Sequence, residues 1–287
     1  LIGLKHQNLK EASQRLKKET SLTVPSKGQV GFEGALADAP FAHLHNHSQF
    51  SVLQATSKIS QLVEAASKYE MPALALTDHA NLMGAFHFLK AITVHNKNSQ
   101  QKIKPIVGCE FYVCEDHLDK TRRDYGYQIV FLAKNKKGYH NLAKLTSAAY
   151  VSGFYYVPRI DRKLIKQYKE DLIVLTGNMY GEVPSKILNV GDQQAEEALK
   201  WWHSEFGEDL YIEVMRHGEE AEDRANDTLI KFSKKHNIPL LATNNTYYTN
   251  KDEANAHDIL LCVKEGEKQA TPIGRGRGFR YGFPNQE

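Results

Sequence analysis

Short apolar segments alternate with helical segments from residue 41 onward, and this alternation constrains the fold more than any other feature of the chain. Residues 73–77 are apolar on both faces, which is typical of a strand buried inside a parallel sheet. The predicted strands cover residues 41–46, 73–77, 104–113, 128–133, 171–176, 210–215 and 239–243, and the predicted helices cover residues 59–69, 81–94, 137–150, 192–206, 219–236 and 252–263. Seven such βα-like units predict an α/β barrel with functional groups at the carboxyl ends of its strands.

Two segments flank the predicted domain, which covers residues 41–265. Residues 1–40 are predicted to be a linker, in which residues 1–20 have the spacing of a basic amphipathic helix. Residues 266–287 are rich in glycine and arginine and are predicted to connect to a further domain. Because the chain starts with Leu1 and shows no evident ending, we expect it to be a piece of a longer protein.

The composition is that of a globular protein and excludes several classes. The net charge of +3 is too small to indicate nucleic-acid binding by itself. Three cysteines without a CxxC pair argue against a disulfide framework. No apolar run approaches the roughly 20 residues that span a bilayer, and no signal peptide is evident, so we expect a cytoplasmic protein with no membrane partner.

Histidines alternate along the first predicted strand. Since side chains alternate faces on a strand, His43, His45 and His47 are expected to point the same way. Imidazole is a common zinc ligand, although a histidine at a strand end can also simply form hydrogen bonds. His79 follows the second strand and Glu110 lies in the third, so both could lie beside His45 and His47 at one end of the predicted barrel. Such ligands suit Zn, Mn or Fe, and clustered ions can activate water for phosphoester hydrolysis.

Five motifs together carry a resemblance to a known family. They are HLHNHS at 43–48, ALTDHANL at 75–82, KPIVGCE at 104–110, GFYYVPRID at 153–161 and ATNN at 242–245. Over residues 41–263 the chain resembles the polymerase-and-histidinol-phosphatase (PHP) domain at the front of bacterial DNA polymerase III alpha subunits. The first residues resemble the linker of alpha subunits that carry a fused N-terminal proofreading exonuclease.

The resemblance implies a distorted seven-stranded (β/α)7 barrel whose metal site lies at the C-terminal ends of the strands. Active members use nine ligands to hold three metal ions and hydrolyse phosphoesters, in some polymerases with proofreading activity. His45 and His47 match the first-strand pair, His79 matches the histidine after the second strand, and Glu110 matches the glutamate of the third. The other five positions depart from the pattern and hold Gln54, Gln128, Asn178, Asn245 and Tyr247.

The departures decide the expected chemistry, because neutral amides are poor substitutes for imidazole or carboxylate around several divalent ions. We predict a structural or interaction domain with a degenerate site that holds no metal, or one weakly bound Zn or Mn ion. Tyr247 or the amides are expected to hydrogen-bond to His79 and Glu110. The alternative is an active metal-dependent phosphoesterase or 3′–5′ proofreading exonuclease. In it, His217 could be an added ligand, or it could only form hydrogen bonds.

The resemblance also implies partners. The parent protein would be a DNA-directed DNA polymerase that uses Mg²⁺, with the rest of the polymerase chain, primer–template DNA and replisome subunits as partners. Asp78 precedes His79 and could either orient that histidine or cap the following helix. The Gly/Arg tail offers Arg275, Arg277 and Arg280 as possible phosphate contacts, or it serves only as a flexible connection.

Overall fold

A computed structural model describes residues 41–266 and 268–269. The predicted linker over residues 1–40 lies outside the described residues, and so do Arg275, Arg277 and Arg280. The predicted domain bounds and the nucleic-acid contact of the tail therefore stay predictions. Within the described ranges, each helix is too short or too polar to cross a lipid bilayer.

Strands and helices alternate along the described residues, which confirms the predicted α/β class. The strands are β1 (Ala73–Leu76), β2 (Lys104–Cys114), β3 (Tyr127–Ala133), β4 (Arg159–Asp161), β5 (Leu172–Leu175), β6 (Leu210–Val214) and β7 (Leu240–Ala242). The α-helices are α1 (Ile59–Lys68), α2 (Ala85–Asn98), α3 (Lys136–Val151), α4 (Arg162–Tyr168), α5 (Glu182–Asn189), α6 (Asp192–Phe206), α7 (Glu220–His236) and α8 (Ala254–Glu265). The sequence does not predict β4, α4 and α5, because elements this short show no clear hydrophobic period.

The strands form one sheet in the order β1-β2-β3-β5-β6-β7, and β4 pairs with the far end of β2. The pairs β1–β2, β5–β6 and β6–β7 are parallel, as predicted. The expectation of a parallel sheet is wrong for β3, which runs antiparallel to both β2 and β5. No helix separates β2 from β3, so the chain returns as a hairpin and not as a βα crossover.

The predicted first strand, residues 41–46, forms only an isolated bridge between Asn46 and Thr246. Its hydrogen bonds nevertheless reach both edges of the sheet. On the β1 side, Ala75 N donates to His43 O at 2.9 Å, and beyond β7, His47 N donates to Thr246 O at 2.9 Å. This closing segment, residues 43–47, therefore joins the two edges into a distorted barrel.

A small apolar cluster fills the barrel interior. It consists of Leu44, Ala75, Ile106, Val130, Leu132, Ile173, Leu175 and Tyr211, which come from the closing segment and from five of the strands. The opposite faces of the strands pack against the helices in two larger apolar clusters. Because side chains alternate along a strand, Glu110 lies on the same inner face as Ile106, and Glu213 on the same face as Tyr211. The interior thus has an apolar floor with carboxylates above it.

Candidate metal centre

The closing segment brings two of its histidines into the barrel mouth. His45 and His47 are fully buried, and their ring centroids lie 5.3 Å apart. His43 instead packs edge-on against Phe41, with 4.8 Å between the ring centroids. Burial lowers the pKa of His43 to about 3, so this ring stays neutral. Two of the three alternating histidines therefore belong to the centre.

One carboxylate of β2 faces three imidazoles. Glu110 Oε2 lies 2.8 Å from His79 Nδ1 and 3.4 Å from His47 Nε2, and Glu110 Oε1 lies 3.4 Å from His45 Nε2. Burial alone would raise the pKa of Glu110, but His79 and His45 outweigh it and hold that pKa well below its usual range. Glu110 is therefore a carboxylate anion inside the barrel.

A second buried carboxylate, Glu213 of β6, completes the surroundings of His45. Glu213 Oε1 lies 2.7 Å from His45 Nδ1 and also accepts a hydrogen bond from the Thr243 hydroxyl. Burial lowers the pKa of His45, but attraction to Glu213 and Glu110 is stronger and raises it to about 10. The sequence interpretation missed Glu213, although one signal was available: it is the only charged residue in the strand sequence LYIEV.

A serine links His47 to Asp78. The Ser51 hydroxyl donates to Asp78 Oδ1 at 2.7 Å and lies 3.1 Å from His47 Nδ1. The Ser51 hydroxyl proton is directed toward Asp78, so the Ser51 oxygen faces His47 Nδ1 as an acceptor. Burial lowers the pKa of His47 well below its usual value, which keeps the ring neutral. Asp78 therefore supports His47 through Ser51, and not His79 as expected, and it does not cap α2, whose N-cap is Gly84.

Amide side chains approach the carboxylate from the other side. Asn178 Nδ2 donates to Glu110 Oε1 at 3.2 Å and to Gln128 Oε1 at 2.9 Å. These are two of the positions where the resemblance implies lost ligands, and Asn178 connects Gln128 to the glutamate. Gln54 lies further out. Its backbone oxygen accepts from His257 Nε2 at 2.7 Å, and its side chain hydrogen-bonds to the Tyr112 hydroxyl.

The two residues that follow β7 contact the histidines. The side-chain oxygen of Asn245, Oδ1, lies 3.0 Å from His47 Nε2. The ring of Tyr247 stacks on His47 with centroids 4.4 Å apart and planes 9° apart, and His47 in turn stacks on His79 at 4.1 Å. The Tyr247 hydroxyl lies 3.4 Å from His79 Nε2, a long hydrogen bond. Tyr247 therefore fills its position mainly with an aromatic ring.

His217 lies outside this cluster. Its backbone N donates to Glu222 Oε2 at 2.6 Å, its Nδ1 lies 2.7 Å from Glu222 Oε1, and its Nε2 lies 2.9 Å from Asn244 O. These bonds tie the loop after β6 to α7 and to the loop after β7. Of the two interpretations of His217, the structure supports the hydrogen-bonding one.

The donor set fits one metal ion. Ligand atoms of His45, His47 and Glu110 lie within 4.8 Å of one another. Three buried atoms at the same place, His45 Nε2, His79 Nδ1 and Glu110 Oε2, form no hydrogen bond of normal geometry. A cation between these atoms would satisfy them, since buried polar atoms are costly without a partner. The neighbouring amides of Gln128, Asn178 and Asn245 are weak ligands, so the described residues do not fit three ions.

Curated proteins with similar sequences are DNA polymerase III alpha subunits. The chain is 40% identical over 234 residues to DNA polymerase III subunit alpha of Borreliella burgdorferi. The aligned region covers 80% of this chain and 20% of that protein. The chain is 39% identical over 254 residues to DNA polymerase III subunit alpha of Thermus aquaticus, and this alignment covers 86% of this chain and 20% of that protein. The chain thus spans about a fifth of the length of these curated relatives.

Solved structures match this chain at low sequence identity. An amidohydrolase from Chromobacterium violaceum superposes with a TM-score of 0.48 at 12% identity, covering 72% of this chain and 87% of that chain. A two-domain protein from Bacteroides vulgatus, containing a predicted PHP-like metal-dependent phosphoesterase, superposes with a TM-score of 0.44 at 13% identity, covering 79% and 55%. The family model of the PHP domain matches residues 43–217, which is more than half of the chain. The chain therefore belongs to the PHP domain family.

Proposed function

We propose that this chain is the PHP portion of a bacterial DNA polymerase III alpha subunit, and that the domain itself has a structural and interaction role. The proposal for the parent protein is supported by relatives that are all named as this subunit. Replicative DNA synthesis in the cytoplasm would then belong to the parent polymerase. Its partners would be the rest of the polymerase chain, primer–template DNA and replisome subunits, and its catalytic ion Mg²⁺.

One observation supports the structural role of the domain. Asn178, Asn245 and Tyr247 occupy the surroundings of the histidine–glutamate cluster and bond to Glu110, His47 and His79 respectively. A divalent ion cluster needs anionic or imidazole ligands at such positions, and amides and a phenol ring offer neither. Hydrogen bonds at this end of the barrel instead connect β2 and the closing segment with the segments that follow β1, β5 and β7. The centre then stabilises the barrel in place of catalysing a reaction.

Where a single ion binds, His45, His47 and Glu110 would hold it. Such an ion would act as a Lewis acid and lower the pKa of a bound water. The chain's own residues set the orientation of the ligands: Glu213 holds His45 through Nδ1, and Asp78 holds His47 through the Ser51 hydroxyl. Binding would displace the proton that His45 carries between its two carboxylates, so affinity should rise with pH.

The experiment measures metal content and nuclease activity on the same protein. The purified chain is loaded with Mn²⁺ or Zn²⁺, dialysed, and analysed by elemental mass spectrometry, and nucleotide release from a primer end is assayed in parallel. We expect no more than one ion per chain and no release. A triple variant, Asn178→His with Asn245→Asp and Tyr247→His, restores donor types and should bind more metal than the original chain.

The second candidate function is a metal-dependent phosphoesterase, favoured by three buried atoms, His45 Nε2, His79 Nδ1 and Glu110 Oε2, that form no hydrogen bond of normal geometry. It predicts two or more ions per chain and nucleotide release in the unmodified protein. His45→Ala and Glu110→Ala should then each abolish both the metal and the activity. Activity that survives both substitutions would come from a contaminant and would leave the structural proposal in place.

A further inference from the structure

A second polar site lies on the outer face of the β2–β3 hairpin, away from the metal centre. Tyr112 pairs with Gln128 across the ladder, and the next pair is Val113 with Tyr127. Since side chains alternate, the first pair faces the centre and the second faces outward. The outward pair lines an open cleft of about 740 Å³, which we call the outer cleft. This volume is within the usual range for small-molecule sites, about 300–1,000 Å³.

The outer cleft is lined by more cations than carboxylates. It contains Arg122, Arg123, Arg162 and Lys186 against Glu115, Asp124 and Glu182, which leaves one positive charge in excess. Several of these cations lie over aromatic rings, which fixes their positions. Arg123 lies 4.7 Å from the ring centroid of Tyr125 and 4.9 Å from that of Tyr156.

The carboxylates of the outer cleft already have partners. Glu182 is buried and accepts from Arg162 at 2.8 Å, from Lys186 at 2.7 Å and from Trp202 Nε1 at 2.9 Å. Asp124 accepts from two backbone amides, Glu115 N and Gly126 N. Glu115 pairs with Arg122.

Arg123 differs from the other cations of the cleft. Within the part of the chain that the structure describes, no carboxylate lies within 4.0 Å of its guanidinium. It is the cation most available to an external anion.

The wall that carries Arg123 is held in place by a buried arginine. Arg159 is fully buried and donates to the backbone oxygens of Asp124, His117 and Asp119 at 3.0, 3.3 and 2.8 Å. These three residues belong to the connection between β2 and β3, which also contains Arg123. Because its backbone is fixed from beneath, the connection presents Arg123 and Tyr125 without a large ordering cost on binding.

We propose that the outer cleft binds a nucleotide, with a phosphate at Arg123 and the base against Tyr125, while Arg122, Arg162 and Lys186 stay paired with their carboxylates. Guanidinium groups match phosphate oxygens with paired N–H donors. Tyr125 is 39% exposed, and an exposed ring can stack on a base. The proposal goes beyond the function proposed above and does not depend on any metal in the barrel.

The test is calorimetric titration of the full chain with dATP, in EDTA so that the metal centre plays no part. We expect saturable binding that Arg123→Ala weakens by about tenfold or more, since the charge-assisted bonds between the guanidinium and a phosphate are lost. Tyr125→Ala should weaken dATP binding more than pyrophosphate binding, because pyrophosphate has no base. Arg216→Ala is the matched control: Arg216 is 76% exposed and does not line the cleft.

Three results would overturn the proposal. They are the absence of saturable dATP binding at millimolar concentration, equal dATP affinity in the chain with and without Arg123→Ala, and binding of a short single-stranded DNA without binding of dATP. The last result would assign the cleft to a nucleic-acid strand. Arg123 and Tyr125 are exposed, so their variants should keep the thermal melting temperature of the original chain.

Discussion

Two buried charged groups, Arg159 of β4 and Glu110 of β2, are surrounded in opposite ways. The guanidinium of Arg159 donates to four backbone oxygens, those of Gly153, Asp124, His117 and Asp119, at 2.8 to 3.3 Å. The carboxylate of Glu110 faces three imidazoles at 2.8 to 3.4 Å, and Oε2 forms no hydrogen bond of normal geometry. Both side chains are fully buried.

The difference separates a structural group from a candidate binding group. Arg159 directs its N–H donors at four backbone carbonyls, which surround its charge with acceptors and form what we call a closed network. Around Glu110, ligand atoms face one another and leave their hydrogen-bonding capacity unfilled, which is the arrangement a cation requires. Burial and charge alone therefore do not identify a site. The partners of each buried atom do.

A second group of potential ligands supports this distinction. Atoms of Asp116, His117 and Asp161 also lie within 4.8 Å of one another. The oxygens of Asp161 are already occupied, because Oδ2 lies 2.7 Å from His117 Nδ1 and Oδ1 accepts from the amides of Lys163 and Leu164. These bonds cap α4 and fix the connection between β2 and β3. This group belongs to the closed, structural kind.

The largest expected effect is that of Arg159→Leu. The substitution leaves four backbone oxygens in the protein interior without their donor, at about 1–3 kcal/mol for each fully desolvated group before relaxation. We expect a loss of about 3–5 kcal/mol in the free energy of unfolding, measured by urea denaturation. Arg122→Ala is the control, since Arg122 is 61% exposed and should cost no more than about 1 kcal/mol. Equal losses in the two variants would remove Arg159 from its structural role.

Glu110→Gln should lower the free energy of unfolding by less, about 1.5–3 kcal/mol. The amide keeps the shape of the side chain, and His45 retains Glu213 as a partner. The same variant should lose the ability to bind Zn²⁺ or Mn²⁺, since one of the three ligands is removed. Urea denaturation and elemental analysis of the metal-loaded protein measure the two effects. If Glu110→Gln lowered the free energy of unfolding more than Arg159→Leu, Glu110 would be a structural group like Arg159 and not a candidate metal ligand.

Asp161→Asn tests the closed network by pH. Interactions with His117 and the Leu164 amide outweigh burial and lower the pKa of Asp161 below its ordinary value of 3.8. A lowered folded-state pKa gives stability that is fully present above the unfolded-state pKa and is lost as the pH falls from there through the folded-state pKa. We expect Asp161→Asn to cost about 1 kcal/mol at pH 7 and the difference to shrink below pH 4, seen as converging urea midpoints. A difference that grew toward low pH would contradict this assignment.

The sequence could predict the open cluster better than the closed network. His45, His47, His79 and Glu110 stand near the ends of apolar strands, and the structure brings their side chains together. Their role as ligands stays a prediction. The role of Arg159 could not be predicted from the sequence. Its partners are backbone oxygens, which every residue type carries, and most of them lie far from Arg159 along the chain.

The fold shows the same limit. Apolar runs predicted β1, β2, β5 and β6 with small errors at their ends, since burial on both faces leaves a continuous apolar pattern. The direction of β3 could not be predicted, because an apolar run carries no information on whether its neighbour is parallel. Glu213 was missed because its partner His45 lies 168 residues earlier in the chain.

The smallest effect is expected for Tyr247→Phe, which separates the ring of this residue from its hydroxyl. The ring stacks on His47 at 4.4 Å, whereas the hydroxyl lies 3.4 Å from His79 Nε2, near the limit of a hydrogen bond. We therefore expect Tyr247→Phe to change the free energy of unfolding by about 0.5 kcal/mol or less, while Tyr247→Ala, which leaves a cavity against His47, should cost about 3 kcal/mol. Urea denaturation of both variants gives the comparison. Similar losses would mean that the hydroxyl carries the contribution, and that the barrel mouth is a closed hydrogen-bond network like the one around Arg159.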